Sequence, residues 1–158
     1  MFHLSAGDQA PLFKGLNQFG KEVDTEKLIG KKYVIYFYPK DATPGCTAQA
    51  CSIRDGEQQL KENGITVIGI SADSVASHER FASKQQLNFD IISDPEKEII
   101  QLFGVFGPKK FMGKEYDGIH RTTFVMNEKN EIIEIIKKPD TKNHAEEILA
   151  VYEKTNKT

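Results

Sequence analysis

Short apolar runs alternate with helix-patterned segments along most of this chain, and that alternation restricts the fold more than any other property of the sequence. The run "KKYVIYFYP" is dense in β-branched and aromatic residues and stops at Pro39, as a buried strand does. "ITVIGISA" is nearly continuous in apolar residues, the pattern of a strand covered on both faces, and "NFDIIS" reads as a third strand. Helical segments separate them. The first runs from Pro44 to Asn63. Thr43 suits the N-cap, Pro44 suits the first helical position, Ala50, Ile53 and Leu60 share a face, and Asn63-Gly64 is a stop signal. "SVASHERFASKQQ" follows with Ser74 as its cap, and "PEKEIIQLFG" is a short helix opened by Pro95 and closed by Gly104.

The ends of the chain add antiparallel pieces. "APLFKGLNQFGKEVD" has a turn-rich centre between short apolar runs and predicts an N-terminal hairpin. "RTTFVMN" and "EIIEIIKK", joined by "EKN", predict a second hairpin. "NHAEEILAVYEK" predicts a closing helix, with Ala145, Ile148, Leu149 and Tyr152 on one face. Residues 105–120, "VFGPKKFMGKEYDGIH", are rich in glycine and proline with little periodicity and read as a long loop. After the first hairpin the order is βαβαβαββα. It predicts an α/β fold: a mixed central sheet with helices on both faces and an N-terminal β-hairpin. At 158 residues the chain fits one domain over 1–158. Such sheets place ligands beyond the carboxyl ends of their strands. The loop from Pro39 to Gly45 leaves one of those ends and enters a helix directly.

Composition excludes several function classes. A formal net charge of −2 with no block of like charges makes no footprint for nucleic acid or an anionic membrane. No apolar run approaches the roughly 20 residues of a membrane helix. The start "MFHLSAGDQAPLF" lacks the basic and apolar regions of a signal peptide, so the expectation is a cytoplasmic protein. Two cysteines, Cys46 and Cys51, are too few for a disulfide framework; a close pair in such a compartment points to redox chemistry or metal binding.

Cys46 falls in the first turn of the helix that begins at Pro44. Unpaired N–H groups and the positive dipole end there favour an anion, and thiols so placed tend toward thiolate, the nucleophilic form. Gly45 leaves the backbone uncovered for a close approach, and Thr43 offers a hydroxyl beside it. Free cysteines are more often buried and inert. The Thr-Pro-Gly loop after a strand argues for reactivity here. A zinc site needs about four ligands, and His3, His78, His120 and His144 are scattered with neither H-x-x-H nor C-x-x-C, so no metal is expected. They read as surface or capping residues. No nucleophile elbow supports a serine hydrolase, and "GLNQFGKEV" lacks the strand–glycine–helix context of a phosphate loop.

These residues carry a resemblance. "PKDATPGC" fits P-x-x-x-T-x-x-C, the active-site signature of the peroxiredoxins. "TPGCTAQACSIRD" resembles the branch called bacterioferritin comigratory protein or peroxiredoxin Q, and "YDGIHRTTFVMN" resembles that branch's arginine-bearing segment. The likeness runs from "GDQAPLF" to the final helix. It implies a thioredoxin-like three-layer fold. It also implies that Cys46 is the peroxidatic cysteine, Thr43 its hydroxyl partner, Pro39 the residue shielding the thiolate, and Arg121 the arginine near the sulfur. Cys51 stands where many members keep the resolving cysteine, and Gln49 where a polar residue supports the arginine.

The implied activity is reduction of hydrogen peroxide and organic hydroperoxides. The sulfenic acid on Cys46 is trapped by Cys51 as a disulfide, which thioredoxin or a similar dithiol protein reduces. The branch implies no cofactor and a monomer. The region 105–120 is expected to border the pocket through Phe106, Phe111 or Met112. Two other functions remain open. A thiol–disulfide oxidoreductase on the same fold would prefer C-x-x-C, whereas the spacing here is C-x₄-C. A redox sensor would use the disulfide as a switch. On an intact helix the two cysteine Cα atoms lie about 8–9 Å apart, beyond the roughly 4.4–6.8 Å of a disulfide. The first turns must therefore unwind after oxidation, with Gly45 and Gly56 as expected weak points.

Overall fold

The run at 32–37 becomes the inner strand of a seven-stranded sheet. This architecture is taken from a computed structural model that describes residues 3–156; Met1, Phe2, Lys157 and Thr158, the ends of the expected 1–158 domain, lie outside the described residues. In chain order the elements are β1 (Lys14–Leu16), β2 (Glu22–Asp24), β3 (Lys32–Phe37), α1 (Pro44–Glu62), β4 (Ile65–Ser71), α2 (Val75–Gln85) and β5 (Asp90–Ser93). There follow α3 (Glu98–Leu102), β6 (Phe106–Phe111), β7 (Lys114–Ile119), β8 (Thr122–Met126), β9 (Ile132–Ile136) and α4 (His144–Asn156).

The strand order is β2-β1-β5-β4-β3-β8-β9. Strands β3, β4 and β5 are parallel, and both edges are antiparallel: the N-terminal hairpin on one side, β8 and β9 on the other. Alternation along β3 divides the core. Tyr33, Ile35 and Phe37 pack with Ile68, Ile70, Ile92, Phe103 and Phe124 on the α3 side. Val34, Tyr36 and Tyr38 face the other way, onto α1 and α4 through Cys46, Ile53, Ile148 and Tyr152. Phe81 and Ala82 of α2 pack on Ala50 and Ile91. Among the described residues, no helix is long and apolar enough to cross a membrane.

Helix α1 starts and stops where its local signals place it, with Asn63 as the C-cap. Ser74 caps α2 by accepting from the Ser77 N–H. Three expectations are corrected. Residues 105–120 are not a loop: β6 and β7 form their own two-stranded hairpin, turned at Met112 and Gly113, both at positive φ. Helix α3 begins at Glu98, not Pro95. The Asp94 carboxylate accepts from the Ile100 N–H, and Lys97, at φ 59°, ends a turn before the helix. The histidines are not all surface residues, because His78 and His144 are fully buried.

Candidate active site

Antiparallel pairing of β3 with β8 builds the site. Phe37, at the carboxyl end of β3, is the register partner of Thr122, at the start of β8. The residue just before β8, Arg121, therefore stands beside the loop that leaves β3 for α1. Its Nη2 lies 3.3 Å from Cys46 Sγ, and its Nη1 donates to Gln49 Oε1 at 2.7 Å. Gly45 allows this approach: a Cβ there would lie 3.1 Å from Arg121 Nη2.

Cys46 occupies the first turn of α1 and is 1% exposed. Its main-chain N–H belongs to the turn whose donors have no intrahelical acceptor. Thr43 is the N-cap, but its side chain does not cap the helix; its hydroxyl donates to the Lys40 carbonyl at 3.2 Å. Pro39 lies half-buried between β3 and Thr43. Cys51 is half-buried, one and a half turns further along an unbroken helix, and both thiols are free. Its Sγ donates to Gln85 Oε1 at 3.5 Å. Gly56 has a packing role as well. A Cβ there would lie 2.5 Å from the Cβ of Ala145, so glycine lets α1 and α4 touch.

Sequence reading missed the polar clasp under the loop. The Asp41 carboxylate accepts from Tyr38 Oη at 2.7 Å and Ser77 Oγ at 2.8 Å, and meets His78 Nδ1 at 2.7 Å. The other His78 nitrogen faces the Ile92 carbonyl at 3.0 Å. The Asp41 N–H donates to Asp73 Oδ2 at 2.8 Å, which also accepts from Ser71 Oγ at 2.7 Å. Burial alone would push the Asp41 carboxyl up; the hydrogen bond and charge of His78, with the Tyr38 and Ser77 hydroxyls, outweigh it and hold the carboxyl below its ordinary value. Ligating atoms of Asp41, Asp73 and His78 lie within 4.8 Å of one another, yet each has the hydrogen-bond partners just named. No spacing rule joins these residues, because they come from three segments of the chain.

Two buried donors have no hydrogen-bond partner among the described residues: the hydroxyl of Tyr36, which shares a core cluster with Cys46, and Gln49 Nε2. Burial raises the Tyr36 hydroxyl well above its ordinary value and keeps it protonated, and charge on Cys46 acts in the same direction. Lys109 of β6 donates to the Ile119 carbonyl at 2.9 Å. Burial and the neighbouring Arg121 lower its proton affinity, against the opposing effect of Cys46. Phe111 and Met112, 67% and 87% exposed, sit at the far tip of the β6–β7 hairpin, while Phe106 lies at its base. A hollow of about 380 Å³ lined by Asn127, Ile132, Val151 and Lys154 contains none of these groups.

A thiol with a guanidinium on its sulfur, at a helix start, is built for nucleophilic attack on a small polarised bond. Comparison with known proteins names the chemistry. The AhpC/TSA family model matches residues 6–135. The chain belongs to the peroxiredoxins of the AhpC/TSA family. It is similar to peroxiredoxin Bcp of Escherichia coli, 44% identical over 146 residues, 92% of this chain and 94% of the relative. The peroxiredoxin fold of a cysteine-to-serine mutant of Xylella fastidiosa PrxQ matches at TM-score 0.91 and 28% identity, covering 98% of both chains. A Xanthomonas campestris bacterioferritin comigratory protein, described for its alkyl peroxide reduction activity, matches at TM-score 0.84 and 30% identity over 90% of this chain and 91% of its own.

Proposed function

We propose that this peroxiredoxin reduces hydrogen peroxide and organic hydroperoxides with Cys46 as the attacking thiolate and Cys51 as the resolving thiol. Membership of the family makes it a thiol-dependent peroxidase. The observation that carries the residue assignment is Arg121 Nη2 at 3.3 Å from Cys46 Sγ. A guanidinium there favours the thiolate and reaches the oxygen on which negative charge grows as the O–O bond breaks. The helix-start N–H groups are further donors, the Thr43 hydroxyl joins them by turning from the Lys40 carbonyl to the peroxide, and Pro39 shields the sulfur. The bond change is in-line: sulfur takes one oxygen, the other leaves as alkoxide or hydroxide, and Cys46 becomes a sulfenic acid.

Cys51 then forms a disulfide with Cys46, and thioredoxin or a similar dithiol protein reduces it. The enzyme acts in the cytoplasm as a monomer. The test is consumption of peroxide coupled to thioredoxin, its reductase and NADPH. Cys46→Ser abolishes turnover. Cys51→Ser retains one oxidation per Cys46 and loses cycling. Full thioredoxin-dependent turnover by Cys46→Ser would overturn the assignment.

A further inference from the structure

Arg121 serves Cys46 and does not account for the second half of the cycle, in which Cys51 must act as a nucleophile. The surroundings of Cys51 hold another cation. Its thiol donates to Gln85 Oε1 at 3.5 Å, at the carboxyl end of α2. Arg54, three residues further along α1 and so on the same side of the helix, donates from Nη1 to the main-chain carbonyl of the same Gln85 at 2.6 Å. Thiol and guanidinium thus converge on one residue. The Arg54 side chain is 30% exposed, and Nε pairs with Asp55 Oδ1 at 2.9 Å, a carboxylate that is 68% exposed.

The same contacts show which part of α1 stays when the helix opens. Asn88 Nδ2 donates to the Arg54 carbonyl at 3.2 Å. The Ala145 N–H donates to Ser52 Oγ at 3.2 Å, and Gly56 is in contact distance of Ala145. From Ser52 onward α1 is pinned to both α2 and α4. The turns before it are tied through Cys46 and Gln49 to Arg121, and through Cys51 to the side chain of Gln85.

We propose that Arg54 is the charge partner of Cys51: clamped on the Gln85 carbonyl, its guanidinium stabilises the Cys51 thiolate for attack on the Cys46 sulfenic acid, and Cys46 travels to a Cys51 that stays in place. This rests on Cys51 being the resolving thiol. In the step, the Cys51 sulfur pair forms the S–S bond, the S–O bond of Cys46 breaks, and hydroxide leaves and is protonated to water. Cys51 is oxidised and Cys46 reduced by the same pair, so no further reactant is needed. Arg54 touches no substrate and is a positioning residue.

The full-length reduced protein is mixed with one equivalent of hydrogen peroxide, quenched with an alkylating reagent at millisecond intervals, and resolved by intact mass into thiol, sulfenic acid and disulfide. Arg54→Gln keeps a hydrogen-bond donor and removes the charge. It forms sulfenic acid at the wild-type rate but disulfide about tenfold more slowly, the scale of a half-screened charge pair, and in excess peroxide Cys46 accumulates as sulfinic acid. Arg54→Lys keeps the charge and restores disulfide formation to within about threefold of wild type, the point charge lacking only the planar fork. A wild-type rate in Arg54→Gln, or equal slowing in both variants, overturns the proposal.

Asp55→Asn supplies a check at an exposed side chain, should Arg54→Gln fail to fold. Removing the counter-charge speeds disulfide formation, and an unchanged or slower rate overturns the proposal. If wild-type protein forms no Cys46–Cys51 disulfide at all, the reading of Cys51 fails. If the disulfide forms at a rate indifferent to Arg54 and Asp55, only the role of Arg54 fails.

Discussion

Arg121 Nη2 lies 3.3 Å from Cys46 Sγ across 75 residues of sequence, and the register of two antiparallel strands puts it there. Arg121 also holds Gln49 with its other terminal nitrogen, so its fork is fixed before any substrate arrives. Preorganised donors of this kind cost no reorganisation when charge develops.

Removing that donor is expected to slow the reaction with peroxide by about 100- to 1,000-fold, the usual loss for one such group. Arg121→Met keeps the length of the side chain and shows the full effect. Arg121→Lys recovers only part, because an ammonium cannot span sulfur and Gln49 in one plane. Stopped-flow competition against a reference peroxidase measures the rate. A loss of less than about fivefold in Arg121→Met would remove Arg121 from the mechanism.

Gly56→Ala tests the contact between α1 and α4. Alanine improves helix propensity by ~1 kcal/mol. It must also clear a Cβ that would lie 2.5 Å away on Ala145, and overpacking of this kind costs about 1–3 kcal/mol. Urea melts are expected to show a less stable protein. The double variant Gly56→Ala, Ala145→Gly is expected to recover, since it restores the room from the other side. A single variant more stable than wild type would refute the packing account.

Acid stability depends on Asp41. Folding holds its carboxyl below the ordinary value, against burial and through His78, Tyr38 and Ser77. The folded form therefore binds this proton less readily than the unfolded form, whose value is near ~3.9. The resulting stabilisation is whole above the unfolded value and disappears as pH falls through the folded one. Asp41→Asn is expected to lower stability at neutral pH and to flatten the decline between about pH 5 and 2. The check is the denaturation midpoint against pH; an equally steep acid decline in Asp41→Asn would assign that decline to other carboxylates.

Oxidation is expected to melt one defined piece of α1. The unbroken helix separates Cys46 from Cys51, while Ser52, Arg54 and Gly56 are held to α2 and α4. Amide exchange of the disulfide form should show lost protection up to Asp55, whose N–H bonds the Cys51 carbonyl in the intact helix, and retained protection beyond Gly56. Protection unchanged across Pro44–Glu62 would contradict unwinding.

Much of the scaffold was legible because it is written in local signals. Thr43, Pro44 and Asn63-Gly64 bound α1 in sequence as they do in space, since a helix end depends on backbone groups within one turn. The β6–β7 hairpin was not legible as strands. The outer residues of β7 are exposed and neither strand joins the main sheet, so no alternation of apolar residues marks them. The one available signal was the two-residue turn at Met112-Gly113, which suits a hairpin because both residues adopt positive φ. Helix α3 starts late because Asp94 bonds forward to Ile100, a contact that the proline signal at Pro95 does not encode.

By itself the sequence determined the α/β alternation, the place of Cys46 at a helix start, and, through its family motif, the candidacy of Thr43 and Arg121. Those depend on neighbours in the chain or on recognised strings. Tertiary structure decided the rest: the grip of Arg121 on Gln49 and sulfur, the Asp41–His78 clasp, the reason for Gly56, and the meeting of Arg54 with Cys51 at Gln85. Each joins segments tens of residues apart, brought together by sheet register and helix packing, and a contact fixed by register leaves no periodic trace in the sequence.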